Sequence, residues 1–134
     1  MADTFQLEIV TPEKLVVDDR AEEMQIPGKN GYLGVLPGHA PLITELAVGE
    51  ISYRRGGTTE RLAVAWGFAE VLPEKVTILA QTAERGEEVD VARAERARGR
   101  AQALLTSGGT ETDYPRAQAA LERAQARLDV AGKR

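Results

Sequence analysis

Apolar and polar positions alternate through the first two thirds of the chain. In "TFQLEIV", Phe5, Leu7 and Ile9 fall on one face and Gln6 and Glu8 on the other, the two-residue period of a half-buried strand. "KLVVDD", "AEEMQI", "ITELAV", "EISYRR", "RLAVAW", "FAEVL" and "KVTILA" follow as short apolar or alternating runs. Turn signals separate them at Thr11-Pro12, Pro27-Gly28, Asn30-Gly31, Pro37-Gly38, Gly56-Gly57 and Pro73-Glu74. Many short strands at tight spacing predict a β-sandwich or barrel. "RRGGTTE" predicts a hairpin, because Gly56-Gly57 can supply the positive φ angles of a tight turn.

Near residue 86 the period changes. Ala, Arg, Glu, Leu and Gln dominate from about residue 87, and these are good helix formers. Asp90 is placed to cap "VARAERARGRAQALL", and Gly108-Gly109 break that helix. Thr112 or Asp113 opens the next, where Pro115 is tolerable in the first turn. Ala94, Ala97, Ala101 and Leu104 form a stripe on the first helix. Tyr114, Ala117, Leu121, Ala124, Leu128 and Ala131 form one on the second. Two such helices joined by a short glycine-containing loop predict an antiparallel hairpin. Its stripes are mostly alanine, which buries little, whereas a fully buried leucine contributes about 1.5–3 kcal/mol. Helices of this length are marginal alone in water. The hairpin therefore depends on docking, as a mobile element or as a permanently seated one.

The 134 residues suffice for one ordinary domain, or a domain with a small appendage. With 43% hydrophobic and 28% charged residues the chain should fold. It has no cysteine, which excludes disulfides and thiol chemistry and fits a reducing compartment. The net charge of -4 removes the usual electrostatic driver of nucleic-acid binding. No apolar run approaches the roughly 20 residues that cross a bilayer. The start, "MADTFQLEIV", lacks the plan of a signal peptide. The expectation is a cytoplasmic protein that reaches a membrane only through something else. Residues 1–86 carry 8 basic against 13 acidic side chains, and residues 87–134 carry 9 against 8. The helical arginines give either a solvated face or a surface for acidic groups and phosphates.

Little points to catalysis. A lone histidine without cysteine makes no typical zinc site. Ser52 and Ser107 stand outside any nucleophile frame. Gly28-Lys29 lacks the rest of a P-loop. Trp66, in "AVAWGFAEV", reads as a core or packing residue, with ligand stacking as the lesser alternative. The lone His39 lies in "GYLGVLPGHAPLIT", where glycines permit sharp turns and Pro37 and Pro41 fix the backbone. That stretch is either a compact connection or a rigid surface offered to a partner protein, rigidity lowering the ordering cost of association.

"PGKNGYLGVLPGHAPLIT" (Pro27–Thr44) closely resembles the signature of the epsilon subunits of bacterial F-type ATP synthase. "VAWGFAEVLPEKVTILAQTAE" (Val64–Glu84) is similar to that family's later sandwich segment, and "ALERAQARLDVA" to its last helix. The resemblance covers essentially the whole chain, in order. It implies a ten-stranded β-sandwich in residues 1–86 and an antiparallel two-helix hairpin in residues 87–134. It also implies a non-catalytic central-stalk subunit on the cytoplasmic face of the membrane, bound to the gamma subunit and the c-ring. Such a subunit couples proton or ion flow to ATP synthesis. Its mobile helices reach the alpha and beta subunits and inhibit ATP hydrolysis.

Residue by residue, Gly28, Lys29, Asn30 and Gly31 match the turn that meets the c-ring. His39, Ala40 and Pro41 match the region that faces gamma. "VDVARA" resembles the (Ile/Leu)-Asp-x-x-Arg-Ala motif of members whose hairpin binds regulatory ATP, with Val89 departing from Ile/Leu. On that resemblance Val89, Asp90 and Arg93, together with Glu84, Arg100, Arg123 and Arg127, stand at nucleotide contacts. No cofactor is required. The alternative is a free ATP-sensing module whose hairpin closes on nucleotide. An independent enzyme has little support.

Overall fold

The computed structural model describes residues 3–133. Its strands are β1 (Phe5–Val10), β2 (Leu15–Ala21), β3 (Glu23–Gly28), β4 (Gly31–Val35), β5 (Leu42–Arg55), β6 (Thr58–Val71) and β7 (Lys75–Arg85). A 3-10 turn (Gly86–Glu88) leads to helices α1 (Val91–Ser107) and α2 (Tyr114–Gly132). The strands form one sheet in the order β2-β1-β7-β6-β5-β3-β4. β1 and β7 are parallel, and the other neighbours antiparallel.

The sheet folds over on itself. Asp19 on β2 accepts hydrogen bonds from the Tyr53 hydroxyl (3.4 Å) and the Arg55 guanidinium (2.8 Å) of β5, although three strands lie between them in the sheet. All seven strands feed one core, in which Phe5, Leu7 and Ile9 meet Ile26, Ile51, Leu62 and Ile78. The alternation in "TFQLEIV" thus orients β1 as expected. Arg55 pairs with Thr58 around the Gly56-Gly57 turn, where φ is 55° and 83°.

The expectation of ten strands is not met, because the structure has seven in a single sheet. "ITELAV" and "EISYRR" are one strand of 14 residues, and "RLAVAW" and "FAEVL" another. The reason is a change of face without a break. On β6 the core positions are Leu62 and Val64, then Ala69 and Val71. On β5 they shift from Leu46 to Ile51 and Tyr53. Pairing skips the row Ala47, Trp66 and Gln81, yet Leu46–Gly67 and Val48–Ala65 keep the same register on either side, as do Ala65–Thr82 and Gly67–Ala80. Trp66 (φ 51°) and Gly67 (φ 135°) turn the backbone there. A Cβ on Gly67 would lie 1.8 Å from the Leu79 carbonyl oxygen, so only glycine fits.

Past that row, the outer face of β5, β6 and β7 is covered by α2. Ala126 and Val130 rest on Ala63 and Val48. A second cluster joins Val89, Ala94 and Ala131. Both helices start as the sequence indicates: the Asp90 carboxylate accepts from the Arg93 amide and the Asp113 carboxylate from the Arg116 amide, each at 3.1 Å. The expected stripes are partly realised. Ala94, Ala101, Ala117, Ala124 and Ala131 are buried, but Leu104 and Tyr114 are exposed. The Tyr114 hydroxyl instead donates to the Gly108 carbonyl at 2.7 Å, holding the interhelical loop.

Candidate functional site

Two groups of candidate residues are built on different parts of the fold. The first is at one end of the sandwich. Gly28 pairs with Gly31 across the β3–β4 turn, leaving Lys29 and Asn30 at its tip. The Lys29 amide donates to the Glu45 carbonyl at 3.0 Å, and its ammonium meets the Glu45 carboxylate at 3.3 Å. The four turn residues thus form one braced projection. His39, Ala40 and Pro41 lie in the β4–β5 connection. There the Gly38 amide donates to Pro73 O at 2.8 Å and the His39 amide to Leu36 O at 3.1 Å. His39 Nδ1 is 2.7 Å from the Ala40 carbonyl oxygen, a hydrogen bond in which Nδ1 donates. Ala40 and Pro41 are exposed.

Beside this connection the outer sheet face is bare and apolar. Phe68 on β6 faces Leu79 on β7 as a direct pair, 53% and 54% exposed, and Ile43 on β5 is 71% exposed. The sequence reading had not singled out these side chains. The signal was present in "FAEVL" and "KVTILA": alternating strands in which Phe68 and Leu79 take outward positions beside Glu70 and Thr77.

The second group lies in the hairpin. Between α1 and α2 is a cleft of about 500 Å³. Ala97, Ala101, Ala117 and Ala124 line it without filling it, and Arg100, Arg116, Arg123 and Arg127 line it as well. Three of the arginines expected at a nucleotide, Arg100, Arg123 and Arg127, therefore share one cavity. Glu84 reaches its edge through an ion pair with Arg127 at 2.5 Å. Val89, Asp90 and Arg93 do not line it. Val89 is buried against Ala94 and Ala131, the Asp90 carboxylate is engaged as the α1 cap, and Arg93 is exposed. Arg116 was not among the expected contacts, although it precedes Arg123 and Arg127 on the same face of α2. Planar guanidinium groups around a small-residue floor suit multivalent anions.

Arg123 and Arg127 also look towards the sandwich. The Arg123 guanidinium carbon is 5.1 Å from the centre of the Trp66 ring, within cation–π range. Trp66 is 38% exposed and packs against Arg123 rather than in the core. Lys133 meets Glu50 on β5 at 3.2 Å. Three cations of the α2 segment thus contact three different strands.

Comparison with known proteins assigns these parts to a family. Residues 4–86 match the model of the ATP synthase delta/epsilon chain, β-sandwich domain, and residues 87–132 that of the long α-helix domain of the same chain. The ATP synthase epsilon chain of Koribacter versatilis is 74% identical over 109 residues, covering 81% of this chain and 77% of the relative. The chain belongs to the ATP synthase delta/epsilon family. The epsilon chain of Geobacter metallireducens is 46% identical over 105 residues, covering 78% of this chain and 76% of the relative. The fold is shared with a chain of the Euglena gracilis mitochondrial ATP synthase OSCP/F1/c-ring structure: the TM-score is 0.83 at 24% identity, over 98% of this chain and 82% of that one. In this delta/epsilon chain, then, the projection, the His39 connection and the bare face belong to the sandwich match, and most of the cleft to the helical match. Among the described residues, no helix is long and apolar enough to cross a membrane.

Proposed function

We propose that this chain is a non-catalytic rotor subunit of the ATP synthase. In this reading the sandwich binds the gamma subunit and the c-ring in the central stalk, on the cytoplasmic face of the membrane. It thereby helps couple proton or ion flow to ATP synthesis. The observation that carries the reading is the contrast on one outer sheet face. Beyond the Trp66 row that face is sealed by α2, and before it Ile43, Phe68 and Leu79 are left open. An apolar pair directly opposed across two strands, beside a braced turn and a stiff connection, suits a protein partner. On this reading Ala40, Pro41 and His39 with the bare face meet gamma, while Gly28, Lys29, Asn30 and Gly31 meet the ring. The test is capture of tagged chain with its neighbours from native membranes. Phe68→Glu should lose gamma while retaining the melting temperature of the isolated chain. Retention of gamma by that variant removes the face from the interface.

The helical hairpin is the regulatory part of the proposal. It reaches the alpha and beta subunits when released and restrains ATP hydrolysis. Its small apolar contact with the sandwich supports the release. Regulatory ATP is the second element, favoured by the cleft that gathers Arg100, Arg123 and Arg127. Calorimetry with ATP should give heat that Arg100→Ala removes. No heat and no change in melting temperature at millimolar ATP would reject nucleotide binding and leave the rotor reading standing.

A further inference from the structure

We propose that Trp66 is the seat of the hairpin: a strained turn in β6 holds its indole under Arg123, and departure of α2 and relaxation of that turn are one event. The proposal rests on the reading of the hairpin as a movable element and adds the device that couples it to the sandwich. Trp66 is the only non-glycine with positive φ among the described residues. That conformation is disfavoured for a bulky aromatic and persists only where surrounding contacts determine it. The ladder holds Ala65 and Gly67 on either side but skips the row Ala47, Trp66 and Gln81, so it leaves Trp66 itself unpaired. Arg123 adds the contact to the ring, at 5.1 Å from its centre.

The other two cations of the α2 segment make ion pairs with Glu84 and Glu50, between flexible side chains that can re-pair in many geometries. Of these three cationic contacts, the one at Trp66 is placed by a special backbone conformation of the sandwich. A groove of about 570 Å³ lies beside the indole, walled by Val10, Leu79 and Gly67. Without Arg123, apolar burial draws the ring onto Val10 and Leu79 and the turn relaxes. The groove adjoins the bare face of Phe68 and Leu79, so the state of the hairpin is written onto that surface.

Trp66 is the only tryptophan in the chain, so its fluorescence reports the seat directly in the full chain. Arg123→Ala should move the emission to shorter wavelength and raise amide exchange of Ala124–Val130 about fivefold, the effect of a cation–π contact of ordinary strength. Arg123→Lys, which keeps a cation, should restore both. Trp66→Gly should raise the same exchange while leaving the sandwich melting temperature equal or higher, since glycine accepts positive φ. Two results overturn the proposal: Arg123→Ala that speeds α2 exchange with unchanged emission, or Trp66→Gly that weakens sandwich and helix protection equally. If wild-type α2 exchanges as slowly as β6, the movable-hairpin reading fails, and the emission of Arg123→Ala still decides the seat.

Discussion

The sandwich is closed by Phe5, Leu7, Ile9, Ile51, Tyr53, Leu62 and Ile78, each at most 2% exposed, whereas the helices bury Ala94, Ala101, Ala117, Ala124, Ala126, Ala131 and Val130. Both regions are built of regular elements. They differ in how much apolar area each ordered residue removes from water. A large side chain contributes about 1.5–3 kcal/mol on full burial, and a methyl group only a fraction of that. The hairpin makes up part of the difference with Arg123, Arg127 and Lys133 on Trp66, Glu84 and Glu50. Such contacts are weaker, screened by salt and reversible. One chain thus joins a head held by interdigitated large apolar side chains to a tail held by small apolar contacts and a few cationic ones.

The strongest way to break this contrast is at Gly67. Gly67→Ala forces a Cβ to within 1.8 Å of the Leu79 carbonyl oxygen, at φ 135°. The clash is with backbone, so β6 and β7 must separate. We expect a loss of about 3 kcal/mol or more, read as a fall in the melting temperature of the whole chain. A loss under about 1 kcal/mol would show that the turn row is soft, and that the sandwich is not the rigid member of the pair.

Removal of residues 87–134 is expected to do less. It uncovers Val48 and Ala63, a cost of about 1–2 kcal/mol. We propose that residues 1–86 remain folded and cooperative, with the exchange pattern of the sandwich retained. An unfolded fragment would mean that α2 is part of the core and that the two regions are one unit.

The same contrast explains what was legible in the sequence. Inward and outward positions of β1, the Gly56-Gly57 turn and the Asp90 and Asp113 caps are local, and each is set by residues a few positions apart. Strand continuity is not local. The switch of core positions at Trp66–Gly67 looks like the end of one strand and the start of another, and only the partner strands show that the ladder continues in register. The second buried stripe of α2, Ala126 and Val130, was hidden because alanine occurs on every face of that helix. In the candidate cleft Arg100, Arg123 and Arg127 converge because they share facing helix surfaces. Val89, Asp90 and Arg93 do not, because burial and helix capping already occupy Val89 and Asp90.

Arg127→Ala sharpens the comparison with a smaller effect. The pair with Glu84 has both side chains 32% exposed, and such pairs contribute about 1 kcal/mol or less. The expected result is faster amide exchange across α2 with an unchanged sandwich. Raising the salt from 0.05 M to about 0.5 M should reproduce much of this in the wild type and little in the variant. Equal salt sensitivity of sandwich and helix amides would remove charge as the cause of the difference.

The smallest expected effect is alkaline and belongs to the sandwich. Burial pushes the Tyr53 phenol above its ordinary value of 10.0, with the Arg85 guanidinium pulling the other way. The folded chain therefore holds that proton more tightly than the unfolded chain does. Its contribution is fully present below pH 10 and is lost as pH rises through the folded value. Lys75 is raised too, chiefly by its hydrogen bond to Glu8, and acts in the same direction. Tyr53→Phe should therefore make the alkaline fall in sandwich stability shallower without abolishing it, in denaturant titrations between pH 9 and about pH 11. A guanidinium is not a group that titrates in this range, so the arginine part of helix docking should not follow the same slope. If α2 exchange and sandwich stability fall together, and Tyr53→Phe relieves both, the two regions are coupled through the core rather than through the row at Trp66.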